Sequence, residues 1–339
     1  MAMNWRKTSK SITCMVAVLA VAVLLSPALA AEPPADFDTW LSGVRTEAQA
    51  RGIAAATLDV AFNGVRPIDR VIALDRQQPE FSLDFAHYMA AVVTPERVAE
   101  GRRQLARHKG LLKAIQRRFG VPGNVIVAMW GIESAYGRNI GSFPAVSVLA
   151  TLAYDGRRSQ YFRGELFKAL EMVEAGVPPA RMQGSWAGAL GQCQFMPSTY
   201  RAYAVHWRTG QDAPPDIWDN TADVFASAAN YLSGIGWVRG EGWGRAVKLP
   251  AGGLPDTLVG LDTVKSLKEW RKLGVRLANG KPLPNSAKSR ASLIRPPGPG
   301  GDKGPPFLVT DNFRVYMKWN RSTLFGLAAG TLADRIGTR

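Results

Sequence analysis

Asn124-Val125-Ile126-Val127-Ala128-Met129-Trp130-Gly131-Ile132-Glu133-Ser134-Ala135-Tyr136-Gly137 reads as an apolar helix that closes on a carboxylate. A helix that is apolar all round belongs in a core. A carboxylate there is costly unless it is paired or neutral. Burial raises a carboxyl pKa, and the negative end of the helix dipole raises it further. Both effects keep Glu133 protonated near neutral pH, where it can donate a proton. Beside a sugar oxygen such a group is the general acid of glycoside cleavage. The alternative is a structural salt bridge, for which Arg138 is the candidate partner.

The 339-residue chain is long enough for a large core with two or three subdomains. Residues 1–30 read as an export leader. Arg6, Lys7 and Lys10 precede an apolar run, Ile12 to Leu25, that is too short for a comfortable membrane span, and Ala28-Leu29-Ala30 is a small-x-small cleavage site. An uncleaved N-terminal anchor is the alternative. Cys14 precedes the apolar run, so it is badly placed for a lipoprotein cysteine. Removing the leader takes away three cations and no acid, which lowers the formal charge from +15 to +12. It leaves Cys193 as the sole cysteine, so no intramolecular disulfide can form. The charge calls for an acidic partner: nucleic acid, anionic lipid or an anionic wall polymer. Export and the lack of nucleic-acid-binding motifs argue against the first. Charge that serves only solubility is the bland reading.

Residues 31–36 read as a linker. From Phe37 to Phe119 apolar residues recur at helical spacing, beginning Phe37, Trp40, Leu41, Val44. Thr94-Pro95 marks a helix start that runs to Phe119, and Asn124 can cap the next helix. Helices are expected over 147–154, 161–175, 197–205 and 219–232. Beyond Trp243 the chain turns rich in Gly and Pro. Ala246–Leu249, Ser292–Ile294 and Phe307–Thr310 suggest a small β-containing insertion with one helix near Val264–Leu273. Residues 281–306 read as a mobile loop, and helical periodicity returns over Asn312–Ile336.

A second chemical motif is Gly184-Ser185-Trp186-Ala187-Gly188-Ala189-Leu190-Gly191-Gln192-Cys193-Gln194-Phe195-Met196-Pro197-Ser198. Small residues let backbone approach a ligand. Ser185 and Gln194 supply hydrogen bonds, while Trp186 and Phe195 supply flat apolar faces, a mixture suited to a sugar chain. Tight helix packing by the glycines is the alternative. No Gly-Lys-Ser/Thr follows, which argues against a phosphate loop.

Together these segments resemble the lytic murein transglycosylase B family. GIESAYG is similar to its catalytic Glu-Ser/Thr-x-Tyr/Trp-Gly motif, and GSWAGALGQCQFMPSTY to its Gly-Ser-x-Ala-Gly-Ala signature. TLAYDGRRSQYF at 151–162, DIWDNTADVFASAANYL at 216–232 and NFRVYMKWNRS at 312–322 also match, so the resemblance covers about 80–330. It implies a mainly α fold: a lysozyme-like catalytic core (124–243), a surrounding helical domain (31–123), a small inserted β-containing domain (244–311) and a C-terminal helix (312–339) that packs back on the helical domain. The implied substrate is the peptidoglycan glycan strand. The implied reaction is non-hydrolytic cleavage between N-acetylmuramic acid and N-acetylglucosamine that leaves a 1,6-anhydro end, with Glu133 as acid and then base. No cofactor is expected, the leader-like sequence points to a periplasmic location without a nucleic-acid partner, and wall-machinery partners stay unidentified.

Other positions carry over by motif. Ser185 matches a serine that binds sugar near the cleavage point, and Gln194 matches a cleft glutamine. Tyr88, six residues before Thr94, stands where the family places a cleft tyrosine. Arg157 and Arg158 match an arginine pair that faces the muropeptide; a solvated loop pair is the alternative. Asn320 matches the asparagine of a Tyr-Asn-x-Ser segment, but Trp319 replaces the tyrosine, which puts a hydroxyl contact there in doubt. Phe325 stands where a second tyrosine is common. Some relatives carry a calcium loop after this signature. Here His206 and Arg208 stand where acids would be expected, so no calcium is expected. His87, His108 and His206 lack metal-site spacing. Three readings of function remain: the transglycosylase, a muramidase that hydrolyses the same bond, and a non-catalytic wall-binding scaffold.

Overall fold

Short turn chemistry sets the helix boundaries. Thr94 accepts a hydrogen bond from the Arg97 N–H ahead of Pro95, and Gly120 ends the following helix pair in the left-handed region. The computed structural model describes residues 36–77, 84–208 and 212–338. The expected leader (1–30) and most of the expected linker (31–36) lie outside these residues, and residues 36–339 cluster as one compact unit.

The N-terminal helices are α1 (Phe37–Ala50), α2 (Ala55–Ala61), α3 (Asp69–Gln77), α4 (Phe85–Val92), α5 (Pro95–Arg107) and α6 (Lys109–Phe119). The single helix expected from Pro95 to Phe119 is therefore two, broken at His108. The His108 ring packs edge-on against Trp130 and Phe225. The motif helix α7 (Gly123–Ser134) follows and packs on α5, α6, α11 (Thr221–Gly234) and α14 (Thr323–Gly337). Its residues Val125 to Gly131 are buried without interruption, as an all-round apolar helix requires. Pro122, not Asn124, precedes its first residue. The Asn124 amide instead donates to the Ala333 carbonyl on α14, 2.9 Å away.

A two-residue strand pair, β1 (Phe143–Pro144) with β2 (Gln183–Gly184), brackets α8 (Ala145–Asp155) and α9 (Ser159–Glu174), and α10 (Pro197–Tyr203) follows. Buried Glu165 of α9 accepts the backbone N–H and the hydroxyl of Ser198 at the start of α10.

Beyond Trp243 the chain forms a five-stranded antiparallel sheet in the order β4-β6-β7-β3-β5: β3 (Gly244–Lys248), β4 (Val264–Ser266), β5 (Arg276–Leu277), β6 (Arg290–Ile294) and β7 (Phe307–Val309). The helix expected over 264–273 is shorter: Val264–Ser266 pair as a strand, and α12 (Leu267–Lys272) starts after Ser266, which closes a reciprocal cap with Glu269. Residues 281–306 are not one loop, because they contain β6, with Ala291 to Ile294 buried between β4 and β7. Strand alternation explains how the sheet serves two cores. Leu308 and Leu293 face a small local core around Trp270, whereas Phe307, Val309 and Ile294 join the main helical core.

The chain then returns as α13 (Asp311–Trp319) and α14, with a break at 320–322. Asn312 is fully buried and pins that return. Its amide donates to the carbonyls of Val238 and Glu241 and its oxygen accepts the Val238 N–H. Asn312→Ala should lower the unfolding free energy by about 2–4 kcal/mol, because it strands buried backbone groups. A urea midpoint unchanged from wild type would contradict this.

Candidate active site

Glu133 sits one residue from the end of α7, half-buried. The chain leaves the helix through three successive positive φ angles, at Ala135, Tyr136 and Gly137. Two of these residues carry a Cβ, so the exit is strained and must be held. The holding groups are visible. Buried Tyr136 donates its hydroxyl to the Arg97 carbonyl at 2.6 Å and sets its ring edge-on to Trp130. A Cβ on Gly131 would lie 2.6 Å from that ring, and one on Gly137 would lie 2.5 Å from Gln192 Oε1. The Ser134 hydroxyl accepts the Gly137 N–H. Each small or hydroxyl-bearing residue of the motif thus has a packing reason.

Glu133 Oε1 accepts the indole N–H of Trp319 at 2.7 Å. The Trp319 ring packs on Phe195 and Tyr231, with centroids 5.5 and 4.9 Å away, and Tyr231 packs on Tyr203. The substitution that put a hydroxyl contact in doubt therefore supplies a different donor, aimed at the acid itself. Met129, Cys193, Val224, Phe225 and Ala228 line the small cavity at the carboxyl group, about 10 Å³ and no larger than one water needs. Cys193 is buried and donates to the Val224 carbonyl. Burial, and then the Glu133 charge, push its thiol pKa far up, so it is not a nucleophile. Arg138, the candidate salt-bridge partner, lies over the Tyr136 ring in a pocket with Arg97 and Glu100.

The 184–198 segment forms a compact loop closed by paired backbone bonds between Leu190 and Phe195. Its glycines serve backbone-to-backbone contact: a Cβ on Gly184 would meet the Ala189 carbonyl, and one on Gly191 would meet that of Ile217. Ser185 Oγ accepts the N–H groups of Ala187 and Ala189, so its own hydrogen remains to donate. Gln194, at φ 51°, donates its amide to the carbonyls of Ile140 and Gly191. The residue that sequence reasoning missed is Gln192, which is buried. It accepts the Trp130 indole N–H at 2.7 Å and donates to the Trp218 carbonyl at 2.5 Å. A glutamine among glycines gave no sign of this.

Asn320 stands beside Trp319 and accepts the Ser322 N–H, which turns the chain into α14. Phe325 is core. Tyr88 packs half-buried on the main core from α4. Arg157 and Arg158 are not a free loop pair: both bind Asp75 of α3, a carboxylate 1% exposed. Burial pushes the Asp75 pKa up, but the hydrogen bonds and charges of the two arginines outweigh this and hold it below the ordinary value. Both guanidinium side chains stay over 40% exposed, so they can still face a ligand.

The described carboxylates around His206 are already committed to other partners. Asp216 Oδ1 accepts the N–H groups of Trp218 and Asp219, and its Oδ2 pairs with Arg181. Asp223 accepts the N–H groups of Trp207 and Asp216 and the ring of His206, whose other nitrogen meets the Ala213 carbonyl. Residues 209–211 of the His206 loop lie outside the described residues.

A helix-rich, lysozyme-like core with a glutamate at the end of its central helix is the architecture of the lytic transglycosylases. The chain belongs to the transglycosylase SLT domain family, whose model matches residues 36–334. It is 31% identical over 299 residues to the membrane-bound lytic murein transglycosylase B of Escherichia coli, covering 84% of this chain and 79% of that protein. SltB3 of Pseudomonas aeruginosa in complex with NAG-anhNAM-pentapeptide superposes with a TM-score of 0.83 at 43% identity, over 88% of this chain and 78% of that one. The Escherichia coli transglycosylase Slt35 in complex with calcium does so at 0.73 and 28%, over 87% and 92%.

Two outcomes are expected. Calcium or a chelator should leave the melting temperature unchanged; a calcium-dependent rise would overturn the account of the His206 loop. Asp75 has a depressed folded pKa, so its stabilisation is present above the unfolded carboxyl value and lost as pH falls through the folded one. Asp75→Asn should therefore cost stability at pH 7, and the deficit should shrink below about pH 4. A deficit that does not change with pH would show that the pair contributes only packing.

Proposed function

We propose that the chain cleaves the β-1,4 bond between N-acetylmuramic acid and N-acetylglucosamine in peptidoglycan without consuming water. Glu133 donates its proton to the glycosidic oxygen as the bond to the anomeric carbon breaks. The carboxylate left behind takes the proton of the muramic C6 hydroxyl, whose oxygen attacks that same carbon and closes the 1,6-anhydro ring. One group serves twice, so the proton returns to Glu133 and the products together have the composition of the substrate.

The observation that carries this reading is the company of Glu133. It is the one carboxylate among the described residues lining its cavity, and an indole N–H orients it amid apolar side chains. Two-carboxylate glycosidases need a second acid about 5–9 Å away to act as nucleophile or to activate water. The match to the transglycosylase family supports an internal hydroxyl as the attacker. Ser185 offers a hydroxyl donor to the sugar, Gln194 and Asn320 offer amides, Tyr88 a ring, and Arg157 and Arg158 a cationic face for the peptide stem. SltB3 was solved with NAG-NAM-pentapeptide, which supports a substrate that carries such a stem. The separate apolar cluster under the five-stranded sheet supports 244–311 as an inserted domain beside a 31–123 helical domain, a 124–243 core and a 312–339 C-terminal segment. The leader-like sequence supports a periplasmic site of action, and no described helix is long and apolar enough to cross a membrane.

The test is mass spectrometry of muropeptides released from purified sacculi. Wild type should release fragments one water lighter than hydrolysis products, and Glu133→Gln should release none. Reducible hydrolysed ends would make the protein a muramidase, and tight binding without release would make it a scaffold. Trp319→Phe keeps the aromatic packing and removes the N–H, so kcat should fall by about ten- to a hundredfold at unchanged melting temperature. An unaffected kcat would remove Trp319 from the machinery.

A further inference from the structure

A cavity of about 870 Å³ lies away from Glu133. It reaches the first residues of α7, Gly123 and Asn124, and ten helical residues put these about 15 Å from Glu133. No residue lines both this cavity and the one at Glu133. Its volume is that of a small-molecule or peptide site.

Two helix faces build it. On α5, Arg102, Leu105 and Ala106 share one face, and on α6, Lys109, Leu112 and Lys113 share another. The leucines and Ile336 of α14 form an apolar floor, and the three cations stand over it, exposed to solvent. Arg102, Lys109 and Lys113 make no ion pair among the described residues, although Arg102 donates to the Arg335 carbonyl. The charge is lopsided in sequence as well: residues 101–132 carry seven Lys and Arg and no acid. The one acid in the lining is Asp334. Burial pushes its pKa up, and one of its oxygens accepts the Trp243 indole N–H. An apolar floor under clustered, unneutralised cations selects a ligand with carboxylates and small apolar groups.

We infer that this cavity is a second, non-catalytic binding site for a short carboxylate-bearing peptide, namely a peptide stem of the wall polymer. It would hold the enzyme on one part of the wall while the site at Glu133 works on another. The inference rests on the peptidoglycan reading above. Lys109 and Lys113, one helical turn apart, grip the carboxylates, and Leu105, Leu112 and Ile336 receive the apolar side chains.

The experiment is calorimetric titration of the full chain at low salt with free pentapeptide stem released from sacculi by an amidase. Wild type and Glu133→Gln should bind it equally. Lys109→Glu/Lys113→Glu should weaken binding by at least about tenfold, because two charge-assisted contacts are reversed. Lys109→Gln/Lys113→Gln should show a smaller loss, which guards against a fold defect specific to the reversed charges. Added salt should weaken wild-type binding. No binding by wild type, or equal binding by both double variants, would overturn the inference. So would loss of binding only to phosphatidylglycerol vesicles, which would assign the face to a lipid surface. A failure of the Glu133 reading appears elsewhere, in sacculus digestion by wild type, so the two failures are separable.

Discussion

The site depends on one buried amide. Gln192 takes the Trp130 indole N–H on its oxygen and gives its own N–H to the Trp218 carbonyl. It thereby joins the end of α7, the glycine-rich loop and the segment that leads into α11. A buried amide left half-satisfied would cost about 1–3 kcal/mol, so these three pieces stay in register together. Gly137 must lack a Cβ because this amide is there, and Gly131 must lack one because Tyr136 fills the space beside Trp130. The left-handed run at Ala135 and Tyr136 costs about 1–2 kcal/mol per residue, which the Tyr136 hydroxyl bond and the aromatic packing offset.

The buried carboxylates illustrate how surroundings separate support from chemistry. Asp223 receives two backbone N–H groups and a histidine, Glu165 receives a hydroxyl and an N–H, and Asp75 receives two arginines. Each is held by several donors and so ties separate segments of the chain together. Glu133 instead takes an indole N–H among Met129, Cys193, Val224 and Ala228.

Function also shapes the periphery of the fold. The five-stranded sheet shows one face to its own core around Trp270 and the other to the helical core through Phe307 and Val309. The buried Asn312 knot then brings the chain back so that α13 ends with Trp319 against Glu133. The insertion is therefore part of the path that delivers the orienting indole.

The sequence by itself determined the helical class, the placement of Glu133 at the end of an apolar helix, the Thr94-Pro95 start and most of the later helix positions, because these are local or periodic properties of the chain. It also carried the family resemblance, through long ordered motifs. It misplaced Asn124, joined α5 to α6 across His108, and read 281–306 as one mobile loop even though it marked Ser292–Ile294 as a β piece. Those outcomes were decided by contacts with Ala333, Trp130 and β7, residues remote in sequence. Only the tertiary structure decided that Trp319 orients the acid, that Gln192 is the junction, and that Asp75 holds Arg157 and Arg158. These hydrogen bonds join groups 26 to 186 residues apart. No local pattern encodes such a partner; it is selected when the packed core brings the donor and the acceptor together and removes the water that would otherwise serve both.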